Sequence, residues 1–164
     1  MEKVCVDDVE NSIQPAAVMR SLTAPLGLTD LALNYYELEP GDSFAFAYHN
    51  HEVQEETFYV LAGTATFETE GGSVEVAAGE VIRFDREEFQ RGWNRSGELV
   101  RALALGAPLE YGEQVTLRHC SDCGERTDSQ LEGGEDGESV VAYCTNCQKE
   151  TGRWYRGSMD GTVP

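Results

Sequence analysis

Apolar and polar residues alternate over most of the chain before residue 110, the period of strands whose side chains point to opposite faces in turn. The run "LTDLALNYYELEPG" predicts a strand from about Asp30 to Glu39, stopped by the turn pair Pro40-Gly41. "SFAFAYH" (43–49) alternates strictly. β-branched and aromatic content marks "ETFYVLAG" (56–63), "TATFETE" (64–70), "GSVEVAAG" (72–79), "EVIRFD" (80–85), "FQRGWN" (89–94) and "ELVRALALGAP" (98–108) as further strands, divided by Gly71-Gly72, Gly79 and Ser96-Gly97. Short strands with turn signals at close intervals predict an all-β sandwich or barrel. The mixed stretch before them predicts one helical turn and a loop, and residues 1–30 are expected to pack on the barrel.

The alternation carries chemistry at one point. His49 and His51 are one residue apart, so on an extended chain they share a face, and Glu56 opens the next strand, where its carboxylate can meet them across a hairpin. Two imidazoles and a carboxylate suit zinc, iron, nickel, copper or manganese. The competing reading is a pair of half-exposed polar residues on an ordinary strand. If the histidines face inward, Ser43, Ala45 and Ala47 share their face and leave room for a ligand, while Phe44, Phe46 and Tyr48 face outward. Such an outward aromatic row needs a cover, either a second sheet or another subunit. By the same parity Glu56, Phe58 and Val60 share a face, as do Gln90, Gly92 and Asn94, with Trp93 opposite.

Composition narrows the function classes. At 164 residues the chain is long enough for one core and a small appendage. There are 30 acidic and 12 basic residues, giving a formal net charge of -18, and only Lys3 and Lys149 are lysines. Such a surface repels phosphate backbones and anionic lipid, so a nucleic-acid partner is not expected. Acid-rich, lysine-poor composition spread along the chain resembles that of proteins from organisms that keep molar salt in the cytoplasm, where the carboxylates are screened. No apolar run is long enough to span a membrane, and "MEKVCVDDVENS" lacks a basic stretch followed by a hydrophobic one, so the expected compartment is the cytoplasm.

The run Gly41, His49, His51, Glu56, Gly63 resembles the first motif of the cupins. The gap from Gly41 to His49 is two residues longer than the family pattern, which keeps each strand residue on its face. The second cupin motif can be laid on "GEVIRFDREEFQRGWN": Gly79 supplies its glycine, Asp85 and Glu87 stand at its proline and second glycine, Asn94 closes it, and its final metal-binding histidine falls on Gln90. The resemblance implies a cupin-type double-stranded β-helix, or jelly-roll barrel, over residues 31–112. It also implies a metal site on His49, His51 and Glu56, with Gln90 as a fourth contact. A glutamine offers a neutral carbonyl oxygen, a weaker ligand than imidazole. Either the barrel holds a divalent metal of unknown identity, or the pocket is vestigial and Gln90 hydrogen-bonds the imidazoles.

After "APLEYGEQVTLRH" the composition changes. Cys120-Ser-Asp-Cys123 and Cys144-Thr-Asn-Cys147 are CxxC pairs at the spacing of structural zinc sites, with the loop tip "GGEDG" (133–137) between them, and the pattern resembles a zinc ribbon. Paired disulfides and a redox dithiol are the alternatives; the lack of an export signal and of a thioredoxin-like βαβ unit argues against them. Four cysteines complete a tetrahedron, so the adjacent His119 is not needed, and Cys5 reads as a lone thiol. Residues 113–164 are therefore expected to form a ribbon stabilised by its metal, with Trp154 and Tyr155 packing beneath the knuckles or onto the barrel. Residues 119–164 hold nine acidic and four basic side chains, which disfavours a DNA role and fits a docking or stabilising appendage.

The function expected on these grounds is binding of a divalent metal and a small molecule in the barrel, as a non-catalytic sensor or interaction module that forms a homodimer through the barrel. The alternative is a metal-dependent isomerase, dioxygenase or lyase, for which Tyr36 and Glu55 are the nearest acid or base candidates.

Overall fold

The computed structural model describes residues 1–157; residues 158–164, the end of the expected ribbon, lie outside the described residues. The strands are β1 (Val18–Ser21), β2 (Ala32–Leu38), β3 (Tyr48–His49), β4 (Glu55–Ala62), β5 (Thr64–Thr69), β6 (Gly72–Ala77), β7 (Val81–Phe84), β8 (Gln90–Trp93), β9 (Val100–Ala107), β10 (Thr116–Cys120), β11 (Glu125–Gly133), β12 (Ser139–Cys144) and β13 (Glu150–Tyr155). A single 3-10 turn, Val6–Asp8, is the helical element among the described residues, and no helix there is long and apolar enough to cross a membrane.

One sheet runs β1-β2-β9-β4-β7 and the other β13-β12-β11-β10-β3-β8-β5-β6. The alternating strands turn one face of each sheet inward, where Tyr36, Leu38, Phe58, Val60, Phe67 and Val100 form the core. Its centre is aromatic: the rings of Phe58 and Phe67 lie 4.9 Å apart, and Phe67 and Phe84 5.4 Å apart. The N-terminal segment joins this barrel directly, because β1 is the edge strand paired with β2 from Val18↔Glu37 to Ser21↔Asn34.

The strict alternation read over residues 43–49 does not produce a regular strand. Only Tyr48–His49 are strand, with an isolated bridge at Ser43↔Trp93. The Ser43 hydroxyl lies 2.9 Å from the carbonyls of Ala45 and Gly92, to one of which it donates, and accepts from the Ala45 amide, and this local bonding competes with the ladder. Face parity is lost there. Phe44, expected outward, turns into the core against Tyr36, Phe58 and Phe67 at 5.1, 5.1 and 5.6 Å. Gly92 makes this possible, since a Cβ there would lie 2.5 Å from the Phe67 ring and 2.6 Å from that of Phe44.

The rest of the expected aromatic row is covered from within the chain. Phe46 meets Trp154 of β13 edge-on at 4.8 Å. Tyr48 stacks on Phe89 at 5.3 Å, and the guanidinium of Arg126, on β11, lies 4.7 Å from the Tyr48 ring centre. Strands β10 to β13 thus continue the sheet that contains β3, and they supply the cover for which a second subunit was one candidate. The join is made by β10, whose Thr116 and Leu117 pair with His49 and Tyr48. Behind it the buried Arg118 donates to the Phe46 carbonyl and to the Thr151 carbonyl, with its guanidinium 4.7 Å from the Trp154 ring centre.

Candidate metal centres

His49 ends β3, His51 follows in the loop, and Glu56 lies near the start of β4. The Nε2 atoms of His49 and His51 are each 3.8 Å from Glu56 Oε2, and their rings lie 5.0 Å apart. Gln90 is the cross-strand partner of His49. All four residues assigned from the motif therefore meet in one place. The His49 Nδ1–H donates to the Ala47 carbonyl at 3.1 Å, which leaves Nε2 as the nitrogen with a free lone pair facing the centre.

The electrostatics suit a cation. Burial, helped by the neighbouring His51 and by Arg91, pushes the His49 pKa down to about 4, and burial also lowers that of His51. Both imidazoles are consequently neutral ligands at pH 7. Burial pushes the Glu56 carboxyl up to about 7, with the Gln90 hydrogen bond pulling the other way. Three donors bonded to a tetrahedral metal at about 2.1 Å stand roughly 3.4 Å apart. The two imidazole–carboxylate spacings of 3.8 Å need only a small contraction, and all three donor atoms lie within 4.8 Å of one another.

Gln90 presents its amide nitrogen to the site, not the oxygen expected of a metal contact. Nε2 donates to Glu56 Oε2 at 2.7 Å and lies 3.4 Å from His49 Nε2, while Oε1 is buried without a partner. In this rotamer the amide bridges two of the donors. A half-turn of the amide exchanges nitrogen for oxygen and brings a neutral ligand to the centre.

The three donors sit in the wall of a cavity of about 480 Å³. Ala45 and Ala47 line it as expected, and so does Phe46. Tyr36 lines it too, its hydroxyl held protonated by burial and by the nearby Glu56 carboxylate. Glu55 does not: it is paired with Arg83 at 3.3 Å on the outer surface. Sequence reading missed Tyr111, whose ring tilts over His51 at 5.5 Å, and also Thr116 and Leu131, which bring β10 and β11 into the cavity wall. Nothing in their local sequence marks them, because their roles come from strand pairing across the chain.

The second group is formed by Cys120, Cys123, Cys144 and Cys147, whose sulfurs all lie within 4.8 Å of one another. Cys120 and Cys147 are 3.5 Å apart and Cys123 and Cys144 3.8 Å. Tetrahedral zinc with Zn–S bonds of about 2.3 Å requires sulfurs roughly 3.8 Å apart, whereas a disulfide requires about 2.05 Å. The two knuckles are built alike. The amide of Gly124 bonds back to Cys120 and that of Gln148 back to Cys144, at 2.8 and 2.9 Å, and both residues are left-handed, at φ +75° and +62°. Gly124 adopts this freely; Gln148 does so despite its Cβ. His119 points away, exposed, on the opposite face of β10 from buried Cys120. Cys5 is exposed and free.

The family model described as "Cupin domain" matches residues 34–106. No curated protein matches the sequence. Among solved structures, the polyketide cyclase RemF of Streptomyces resistomycificus is 27% identical, with a TM-score of 0.61, over 74% of this chain and 89% of its own. A sugar phosphate isomerase from a cupin superfamily, of Silicibacter pomeroyi, is 17% identical with a TM-score of 0.58 and covers 98% of this chain and 92% of its own. A predicted oxalate decarboxylase of Thermotoga maritima is 22% identical with a TM-score of 0.56, over 65% of this chain and 99% of its own.

Proposed function

We propose that this chain, which carries a cupin domain at residues 34–106 within a cupin double-stranded β-helix, binds a divalent metal on His49, His51 and Glu56 and holds a small molecule against it. Zinc on Cys120, Cys123, Cys144 and Cys147 fixes the ribbon. The observation that carries the barrel reading is the convergence of two neutral imidazole nitrogens and one carboxylate on the wall of an open cavity. A metal bound there polarises an oxygen of the ligand as a Lewis acid.

We read the barrel as a binding or sensing site. Gln90 puts a neutral amide where a nitrogen ligand is expected, and among the described residues no histidine or carboxylate other than the three donors lines the cavity. The enzymatic alternative is a metal-dependent isomerase, dioxygenase or lyase; Tyr36 lines the same cavity, but burial and the Glu56 carboxylate hold its hydroxyl protonated, which suits a hydrogen-bond donor to a bound oxygen better than an acid that gives up its proton.

Cobalt(II) titration of the chain with zinc retained in the ribbon and the barrel emptied by a mild chelator tests the metal reading. The barrel should take up one cobalt with nitrogen and oxygen ligands and no thiolate charge-transfer band. Because metal competes with the proton on Glu56, uptake should strengthen as pH rises through about 7 and then level off. Absence of a visible cobalt spectrum at any pH would count against the site.

The acidic surface we assign to a high-salt environment. Counterions relieve the self-repulsion of a net charge of -18, and the screening length falls to about 3 Å at 1 M salt. The thermal midpoint should therefore climb as potassium chloride approaches molar levels. A flat or falling midpoint removes this assignment.

A further inference from the structure

We infer that the molecule held in the barrel is uncharged and polyhydroxylated, of the sugar or polyol class, and not a phosphate ester; the inference rests on the ligand-binding reading above. Among the described residues, no cationic side chain, lysine or arginine, lines the cavity to meet an anion. Apart from the three metal donors, its polar lining consists of hydroxyls and amides, among them Ser21, Thr23, Asn34, Gln114 and Thr116.

The arginines nearest in sequence to the lining are all engaged elsewhere. Arg20 lies between Met19 and Ser21, yet its Nη1 donates to the Val6 carbonyl at 2.7 Å and lies 3.3 Å from Asp7 Oδ1. Arg91, next to Gln90, donates from Nε to Ser43 Oγ at 3.2 Å and stacks 3.9 Å from the Trp93 ring centre. Arg118 is bonded to the backbone behind the Phe46 wall.

Phosphate recognition depends on guanidinium or ammonium groups, or on the amides at a helix N-terminus. The described residues hold no α-helix. A phosphate dianion would meet the Glu56 carboxylate within a chain of net charge -18, with only the barrel metal to offset it. A neutral polyol avoids this cost. Its hydroxyls can exchange hydrogen bonds with the hydroxyl and amide lining, two adjacent oxygens can approach the metal, and its C–H faces can rest on Phe46 and Tyr111.

The test is calorimetric titration of the full chain, loaded with zinc in the ribbon and cobalt in the barrel, with D-fructose, D-xylose, myo-inositol and D-fructose 6-phosphate. At least one uncharged probe should bind, and fructose should bind at least about tenfold more tightly than its phosphate. Asn34→Arg, which puts a cation in the lining, should reverse that preference. Equal or tighter binding of the phosphate by the wild type, or no binding by any uncharged probe, overturns the inference. The metal reading is judged separately by the cobalt spectrum: sugar preference in a chain that shows none sustains the ligand class while removing the metal.

Discussion

Cys123→Ser should strip zinc from the ribbon and release β11 to β13 from their packed arrangement while the barrel stays folded. The four thiolates stand at tetrahedral spacing, and two of them, Cys120 and Cys144, are fully buried. Among the described residues, the remaining buried apolar groups of the ribbon are few: Val141, Ala142 and Trp154. So small a core does not offset the chain entropy of about 45 residues, whereas structural zinc contributes apparent free energies of about 10–16 kcal/mol in zinc-finger peptides. The barrel has its own core around Phe58, Phe67 and Val100 and does not depend on the ribbon for it. Hydrogen exchange should show lost protection beyond about residue 119, together with a change in tryptophan emission as Trp154 leaves Phe46 and Arg118. Full retention of zinc with unchanged protection would sink the ribbon assignment.

Local patterns made much of this molecule legible before its structure. The turn pairs and alternating runs placed most of the strands near their observed positions, and the residues of both candidate metal groups, which the structure brings together, stand out through the His-x-His and CxxC spacings and the family motif, because such spacings fix geometry within a few residues. The family motif puts Gln90 at the position of its final histidine, and in the structure β8 pairs it with His49 of β3. It also aligned Glu87 with a glycine, and Glu87 indeed has a left-handed backbone at φ +61°, a conformation that costs a residue with a Cβ roughly 1–2 kcal/mol.

What the sequence did not reveal depends on contacts between distant segments. Phe44 was assigned outward by parity, and the assignment failed because one serine hydroxyl bonds to the backbone of its own loop and of β8, breaking the strand. The cover for Phe46 comes from Trp154, more than a hundred positions away. Leu131 comes to the cavity with the strands that follow β10 onto the edge of β3, and Tyr111 lies in the loop before β10, its carbonyl accepting from the Val53 amide. The orientation of the Gln90 amide is equally invisible in sequence, since it is set by which of the Glu56 and His49 atoms needs a donor.

His51→Ala should empty the barrel while sparing the ribbon. It removes one of three donors, leaving a single imidazole and a carboxylate, and the Gln90 amide already bridges those two. The loss of barrel affinity should exceed the roughly 10–100-fold typical of deleting a supporting hydrogen bond to a ligand. The ribbon shares no donor with the barrel, so its zinc should remain. Gln90→His acts in the opposite sense, because an imidazole at the cross-strand partner of His49 supplies a fourth strong ligand.

Whether the barrel holds a metal of its own is read from elemental analysis of the chain purified without added metal, side by side with His51→Ala. Two metal ions per chain are expected in the wild type and one, the ribbon zinc, in the variant. One metal per chain in the wild type, unchanged in His51→Ala and still one in Gln90→His, would contradict this expectation and leave His49, His51 and Glu56 as a cluster held together by the Gln90 amide alone.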